Sequence, residues 1–391
     1  MKNLNTILVT ILLIAVVGCG RGKQSTDDII TVDVTKNYPK KELIIQDFMD
    51  VEYIPLETSS EFICQGLVLS VGKKYLLVRN RTNDGIIFIF DRNGKGIRTI
   101  NRRGQGAEEY MWIYDVLLDE DNDEIFVNVS ENKKILVYDL FGNFKRVIRH
   151  KDGVRFDNIH NFDKQNFILW NSLYAFEEKA GEPSSFYIVS KQDGSIIKKI
   201  EIPYKERISP LKFNYDKATD TNYSVSIRTN PIIHYQNQWI LVEPSSDTIY
   251  FYLPDYSLKP FMVRSPSIQS MNPEVFLFPG VITDRYCFMN IYTKDYDFYS
   301  RSGTPVKYLM YDRRERSTFG YVVFNADYST RKEVYMTDRI VNDDIASWQI
   351  IEADELFEDY EKGILKGRLK EIAAGLKEED NPVIMLIKHK K

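Results

Sequence analysis

Glu124-Ile125-Phe126-Val127-Asn128-Val129, then Lys134-Ile135-Leu136-Val137-Tyr138-Asp139, the turn Gly142-Asn143 and Phe144-Lys145-Arg146-Val147-Ile148 form three short runs rich in β-branched and aromatic residues. Strands joined by hairpin turns read this way, because Gly and Asn accept the positive φ that such turns require. The pattern recurs. An earlier copy is Tyr75-Leu76-Leu77-Val78, Ile86-Ile87-Phe88-Ile89-Phe90-Asp91, the turn Asn93-Gly94 and Ile97-Arg98-Thr99-Ile100. A later one is Phe186-Tyr187-Ile188-Val189-Ser190, Asp193-Gly194 and Ile196-Ile197-Lys198-Lys199-Ile200. Weaker copies run from Thr248 to Leu253 and Lys259 to Arg264, and from Tyr286 to Tyr292 and Asp297 to Tyr299. A unit of about 50 residues with about four strands is the signature of a β-propeller, in which each blade must pack on its neighbours. The length that remains after the N-terminal segment fits six blades. Asp91 and Asp139 occupy one repeat position, and their carboxylates are expected to accept the backbone N–H groups of the following turn.

Composition narrows the function classes. The 391 residues are 43% hydrophobic and 28% charged, and 52 Lys+Arg against 56 Asp+Glu give a net charge of −4. This excludes a disordered chain and a multi-span membrane protein. Without a basic excess, nucleic acid is not an expected partner. Three cysteines and four histidines exclude a disulfide scaffold and a Cys-rich zinc protein. Cys64 and Cys287 sit in apolar stretches and read as buried thiols, with a disulfide between them as the alternative. Asp119-Glu120-Asp121-Asn122-Asp123 imitates a calcium loop, but Glu124 and Ser130 stand where that loop needs Gly and Glu. His150, His160 and His234 fall in different repeats, with no metal-site spacing. No nucleophile elbow, phosphate loop or dinucleotide fingerprint occurs. No cofactor and no metal is therefore expected.

At the N-terminus, Lys2 precedes an apolar run from Ile7 to Val17. It is too short for a bilayer span, which takes about 20 helical residues, and suits a secretory signal. Val16-Val17-Gly18-Cys19 resembles a bacterial lipobox. The resemblance implies a signal peptide over residues 1–18, lipidation of Cys19, and a polar tether over residues 19–40 ahead of a single domain over residues 41–391. Gly20 is not the Asp that retains lipoproteins in the inner membrane of enteric bacteria, so the resemblance points to an outer-membrane lipoprotein of the cell envelope.

Between the first two repeats lies Arg102-Arg103-Gly104-Gln105-Gly106-Ala107-Glu108-Glu109-Tyr110. It is similar to the segment that opens a blade in NHL-repeat proteins, and more closely to the Gly-x-Gly-Pro-Gly-Glu-Tyr of six-bladed β-propeller lipoproteins of Bacteroidota. Ala107 and Glu108 depart from that pattern. The opening Val51-Glu52-Tyr53-Ile54-Pro55-Leu56-Glu57-Thr58 and the closing Glu379-Asp380-Asn381-Pro382-Val383-Ile384-Met385-Leu386 also resemble this family. The resemblance implies fold and location more than chemistry.

Near the C-terminus, Phe357, Tyr360, Ile364, Leu365, Leu369, Ile372 and Leu376 fall at helical spacing. They predict an accessory helix near 353–377, followed by a closing strand near 383–388 that pairs with Val51–Leu56. The expected fold is thus all-β, a six-bladed propeller with one accessory helix. With 25 Tyr, 22 Phe and 4 Trp, aromatic faces are the main recognition material. Arg102, Arg103, Glu109 and Tyr110 are candidates for a ligand-facing loop, and Tyr292 and Tyr296 for a stacking surface in the densest aromatic stretch. The function expected is that of a non-enzymatic envelope module, held to the membrane by lipid, that binds a glycan, peptide or envelope protein. A propeller lyase or hydrolase acting on carbohydrate and a sensor or structural scaffold are the alternatives.

Overall fold

The computed structural model describes residues 29–390, apart from 130–132, 152–153, 155, 172–185, 218, 228–229, 338 and 340. Cys19 and the signal segment lie outside the described residues.

Six antiparallel sheets form the ring. Blades I to III are four-stranded meanders. Blade I comprises Leu67–Val71, Tyr75–Arg79, Ile86–Asp91 and Gly96–Asn101. Blade II comprises Asp115–Asp119, Glu124–Val129, Lys134–Asp139 and Phe144–Arg149. Blade III comprises Asp157–Asn161, Asn166–Trp170, Phe186–Ser190 and Ile196–Ile200. Blade IV (Ile232–Tyr235, Gln238–Leu241, Thr248–Tyr252, Leu258–Ser265) and blade V (Val275–Ile282, Tyr286–Thr293, Val306–Asp312, Ser317–Phe324) each gain a fifth, parallel strand at the outer edge. Blade VI joins Ile345–Ile351 and Val383–His389 from the end of the chain to Met49–Pro55 from its beginning.

The apolar residues fall into six clusters, one at each blade–blade junction. Ile125 and Val127 face blade I, whereas Phe126 in the same strand faces blade III. The middle strands are buried on both faces, which is why they read as unbroken apolar runs and not as alternating ones. Their burial also holds the ring together without a central core.

The N-terminal segment corrects the expected tether. Ile30, Val32 and Val34 are buried at alternate positions, the period of a strand. Strand β1 (Ile30–Asp33) lies parallel on the outer strand of blade IV, and β2 (Lys40–Ile44) lies parallel on that of blade V. Strand β3 (Met49–Pro55) then becomes the outer strand of blade VI, antiparallel to Val383–His389 over its full length. The first described strands therefore run along the rim of three blades, so residues 30–40 belong to the propeller and not to a tether.

The C-terminal helix is also revised, because it is two helices. Ala353–Glu361 ends where Gly363 takes φ +68°, and Gly367–Ala373 begins where Gly367 takes φ +51°. Between them Lys366 N–H donates to the carbonyl of Asp327, 2.7 Å away. Leu356, Leu365, Leu369 and Ile372 dock on the junction between blades V and VI. Cys64 and Cys287 are both buried and unpaired. Burial pushes the Cys64 thiol up to about 11.

The repeated turn is built as expected. Asp91 Oδ1 accepts from Asn93 and Lys95 N–H at 2.8 and 3.0 Å, and Asp139 Oδ1 from Phe141 and Asn143 N–H at 2.8 and 2.9 Å. Gly94 has φ +83°, and a Cβ there would meet the Pro55 carbonyl of blade VI at 2.0 Å. Glycine thus serves both the turn and the blade contact.

Candidate functional site

The six residues expected at a ligand surface occupy two separate regions of the ring. Arg102, Arg103, Glu109 and Tyr110 form the connection from blade I to blade II. Tyr110 is fully buried; its hydroxyl donates to the Gly85 carbonyl at 2.9 Å and accepts from Arg102 N–H at 3.2 Å. Arg102 Nε and Nη2 donate to the Gly142 carbonyl of blade II at 3.0 and 2.8 Å. Glu109 folds back to accept from Gly106 N–H at 2.9 Å, and a Cβ on Gly104 would overlap its carboxylate. Tyr138 and Lys134 of blade II donate to carbonyls of the same loop, at Glu108 and at Ala107 and Glu109. The family-like motif is therefore a latch between blades. Arg103 is exposed on its rim. Tyr292 lies in blade V, where it accepts from Asn290 Nδ2 at 3.0 Å, and Tyr296 lies in the connection between that blade's second and third strands, edge-on to Phe298. None of the six lines the axial channel.

The channel holds a cavity of 390 Å³, to which blades I, II, III, IV and VI contribute. Among the described residues none of blade V lines it, and Met336 and Thr337, ahead of Ile345, lie against neighbouring blades. There Val281 N–H donates to the Met336 carbonyl at 2.7 Å, and Asn230 Nδ2 to that of Thr337 at 2.9 Å. His160, His234, Trp239, Arg339, Asn342 and Trp348 carry the polar and aromatic character of the lining.

Trp239 stands edge-on to both histidines, with ring centroids 4.6 Å from His234 and 6.0 Å from His160. Arg339 lies over Trp348 at 4.3 Å. His234 Nδ1 is 3.2 Å from Asp343 Oδ1. Asp343 is itself fixed by backbone N–H groups of Gln236 and Asn237 at 2.6 and 3.0 Å. Asn161 Nδ2 donates to the Leu118 carbonyl at 2.9 Å, while its Oδ1 is buried without a partner among the described residues. A buried acceptor left open in a polar cavity is a position for a donor brought by a ligand or by water.

Burial pushes His160 down to about 4, with His234 nearby adding to the effect. Burial also lowers His234, against the pull of Asp343. Both rings are neutral at pH 7, so each offers one donor and one acceptor nitrogen. An unfolded His160 would titrate near 6.5. The unfolded chain then takes up the proton first as pH falls, so this contribution to stability is complete above pH 6.5 and is lost between there and about pH 4. The urea midpoint of the native protein should fall more steeply across this window than that of His160→Gln. Parallel midpoints would show that His160 is freely protonated in the fold.

Among the described residues no group of three or more His, Cys, Asp or Glu is placed to hold a metal ion. His160 and His234 do meet at the axis, but His150 stacks on Phe156 away from it. The channel residues escaped the sequence reading because the innermost strands are the least regular part of each repeat. The available signal was a polar residue, Ser70 or His160, at the fourth position of the five-residue strand that opens a blade.

Residues 29–388 match the family model described as a domain of unknown function, DUF4934. The chain belongs to the DUF4934 family. No curated protein matches it. Among solved structures, a protein from Bacteroides fragilis described as exported aligns with a TM-score of 0.61 at 14% identity, over 93% of the DUF4934 chain and 100% of its own. A member of the duf4221 family from Bacteroides vulgatus aligns with a TM-score of 0.43 at 11% identity, over 72% and 90%. Virginiamycin B lyase from Staphylococcus aureus gives 0.33 at 11%, over 66% and 88%. At these identities the likeness concerns the fold of the DUF4934 propeller alone.

Proposed function

We propose that this propeller is a lipid-anchored binding protein of the bacterial envelope that takes a small, uncharged, polar ligand into its axial cavity, a saccharide being the class that fits best. The observation that carries the reading is the cavity wall. Trp239 supplies an aromatic surface, Trp348 a second with the Arg339 guanidinium over its ring, two neutral imidazoles and Asn161 supply hydrogen-bonding atoms, and five blades contribute to the wall. Such a mixture of stacking surface and fixed polar atoms is how proteins orient sugar-like ligands. The lipobox-like Val16-Val17-Gly18-Cys19 and the relative described as exported support the envelope location. No helix among the described residues is long and apolar enough to cross a membrane.

Two of the four tryptophans line the cavity, so intrinsic fluorescence is a direct readout. Titration with a panel of neutral oligosaccharides is expected to shift the emission, and Trp239→Phe to weaken binding about tenfold, the size of one lost aromatic contact. No emission change across the panel, or binding indifferent to Trp239→Phe, would overturn the cavity as the site. Release of cleaved product in the same mixtures would move the assignment to a lyase or hydrolase. Membrane association is expected to disappear in Cys19→Ser.

A further inference from the structure

On the outer side of blade V, away from the axis, two strands part company. Val306–Asp312 pairs with Ser317–Phe324 only from Leu309 and Gly320 onward. Beyond that point Val334 N–H takes up the Val323 carbonyl at 2.9 Å. The wedge between the separated strands opens into a groove of 520 Å³, roofed on one side by the segment joining β1 to β2. Gly320 at its floor has no side chain to fill it; the nearest atoms a Cβ would meet are Lys40 Cγ at 3.3 Å and two carbonyl oxygens near 4 Å.

The lining has a definite chemistry. Tyr308 and Tyr335 are exposed, 37% and 43%, although aromatic rings of this size usually find cover, and they lie 5.5 Å apart at an interplanar angle of 46°. Lys36, Lys40 and Lys307 supply three ammonium groups against one carboxylate, that of Glu333. Asn37 Oδ1, 3.4 Å from Lys307 Nζ, joins the two rims. Two tilted rings side by side make a curved platform. A planar base would be gripped between parallel rings, whereas a puckered sugar chain rests its C–H faces on successive tilted ones. The excess of lysines provides counter-charges for carboxylates spaced along such a chain.

We propose that this groove is a second binding site, distinct from the axial cavity, for an acidic oligosaccharide of uronic acid units. Calorimetric titration with an oligogalacturonate of four units is expected to show binding that weakens as salt rises, because exposed charge pairs are screened within about 10 Å at 0.1 M. A neutral tetrasaccharide should give no heat at this site. Tyr335→Ala should weaken oligogalacturonate binding about tenfold, and Lys40→Ala with Lys307→Ala, which leaves Lys36 alone, should flatten most of its salt dependence. Trp239→Phe should leave it unchanged, which separates this site from the axial one. Both tyrosines and all three lysines are exposed, so the variants should keep the native circular dichroism melt. Binding of the neutral tetrasaccharide that Tyr335→Ala weakens as much as it weakens the oligogalacturonate, preferential binding of adenosine monophosphate, or an affinity for oligogalacturonate untouched by Tyr335→Ala would each overturn the proposal.

Discussion

A chain that stops at Asn381 is expected to lose its cooperative fold. The missing strand, Val383–His389, lies between Ile345–Ile351 and β3, so its removal unpairs both. Val383, Ile384, Leu386 and Ile387 are fully buried, and Met385 is 2% exposed. Burying such side chains stabilises by about 1.5–3 kcal/mol each, and five of them equal the whole stability of many domains, about 5–15 kcal/mol. The loss also opens two blade junctions, since Val383, Met385 and Ile387 face blade V while Ile384 and Leu386 face blade I. The truncated chain should show no cooperative melt and rapid hydrogen exchange across Met49–Pro55. A synthetic peptide of residues 382–391 should restore protection there. A truncated protein melting at the native temperature would show that the ring holds without its closing strand.

Lys191→Met should cost about 3–5 kcal/mol, the range found when one member of a buried ion pair is removed. Lys191 Nζ lies 2.6 Å from Asp119 Oδ2, with both side chains about 5% exposed, and donates also to the Asp163 carbonyl at 2.7 Å. It thereby fastens blade II to blade III. Its own carbonyl accepts from Arg146, whose guanidinium holds Glu124 in a bidentate pair at 2.6 and 2.8 Å. Removing the ammonium strands the Asp119 carboxylate away from water. The variant should unfold at lower urea with an unchanged slope, since the surface exposed on unfolding is the same. The double variant Asp119→Leu with Lys191→Met should regain most of the loss, because no charge is then left buried alone. A single variant within about 0.5 kcal/mol of the native protein, the ordinary scatter of surface changes, would show that the pair is solvated.

The blades were legible because their middle strands are buried on both faces. Such strands must be apolar along their length, as in residues 86–90 and 135–138, and their turns need Gly and Asp at fixed places. The closing strand was legible for the same reason. The rim strands were harder to read. Ile30, Val32 and Val34 bear the alternation of a strand covered on one face only, but three such residues after a polar run resemble a linker. The break in the C-terminal helix depends on two glycines in left-handed conformations, which spacing alone cannot distinguish from ordinary helical ones. The axial residues were illegible because no local pattern sets them. His160 and His234 meet through the closure of a circle, and that proximity depends on blade geometry, not on distance along the chain. Arg102 and Tyr110 show the converse: charged and aromatic residues clustered in a loop satisfy one another and the neighbouring blade.

The rim path of the first strands sets an order of assembly. β1, β2 and β3 pair with segments ending at residues 265, 324 and 389. The earliest part of the polypeptide thus waits for the latest, and contacts between such distant segments form slowly because long loops must close first. β1 and β2 can find their partners once residues 265 and 324 are made, but β3 has none until the closing strand is synthesised. β3 is therefore an open sheet edge on the growing chain, and completion of the circle is what covers it.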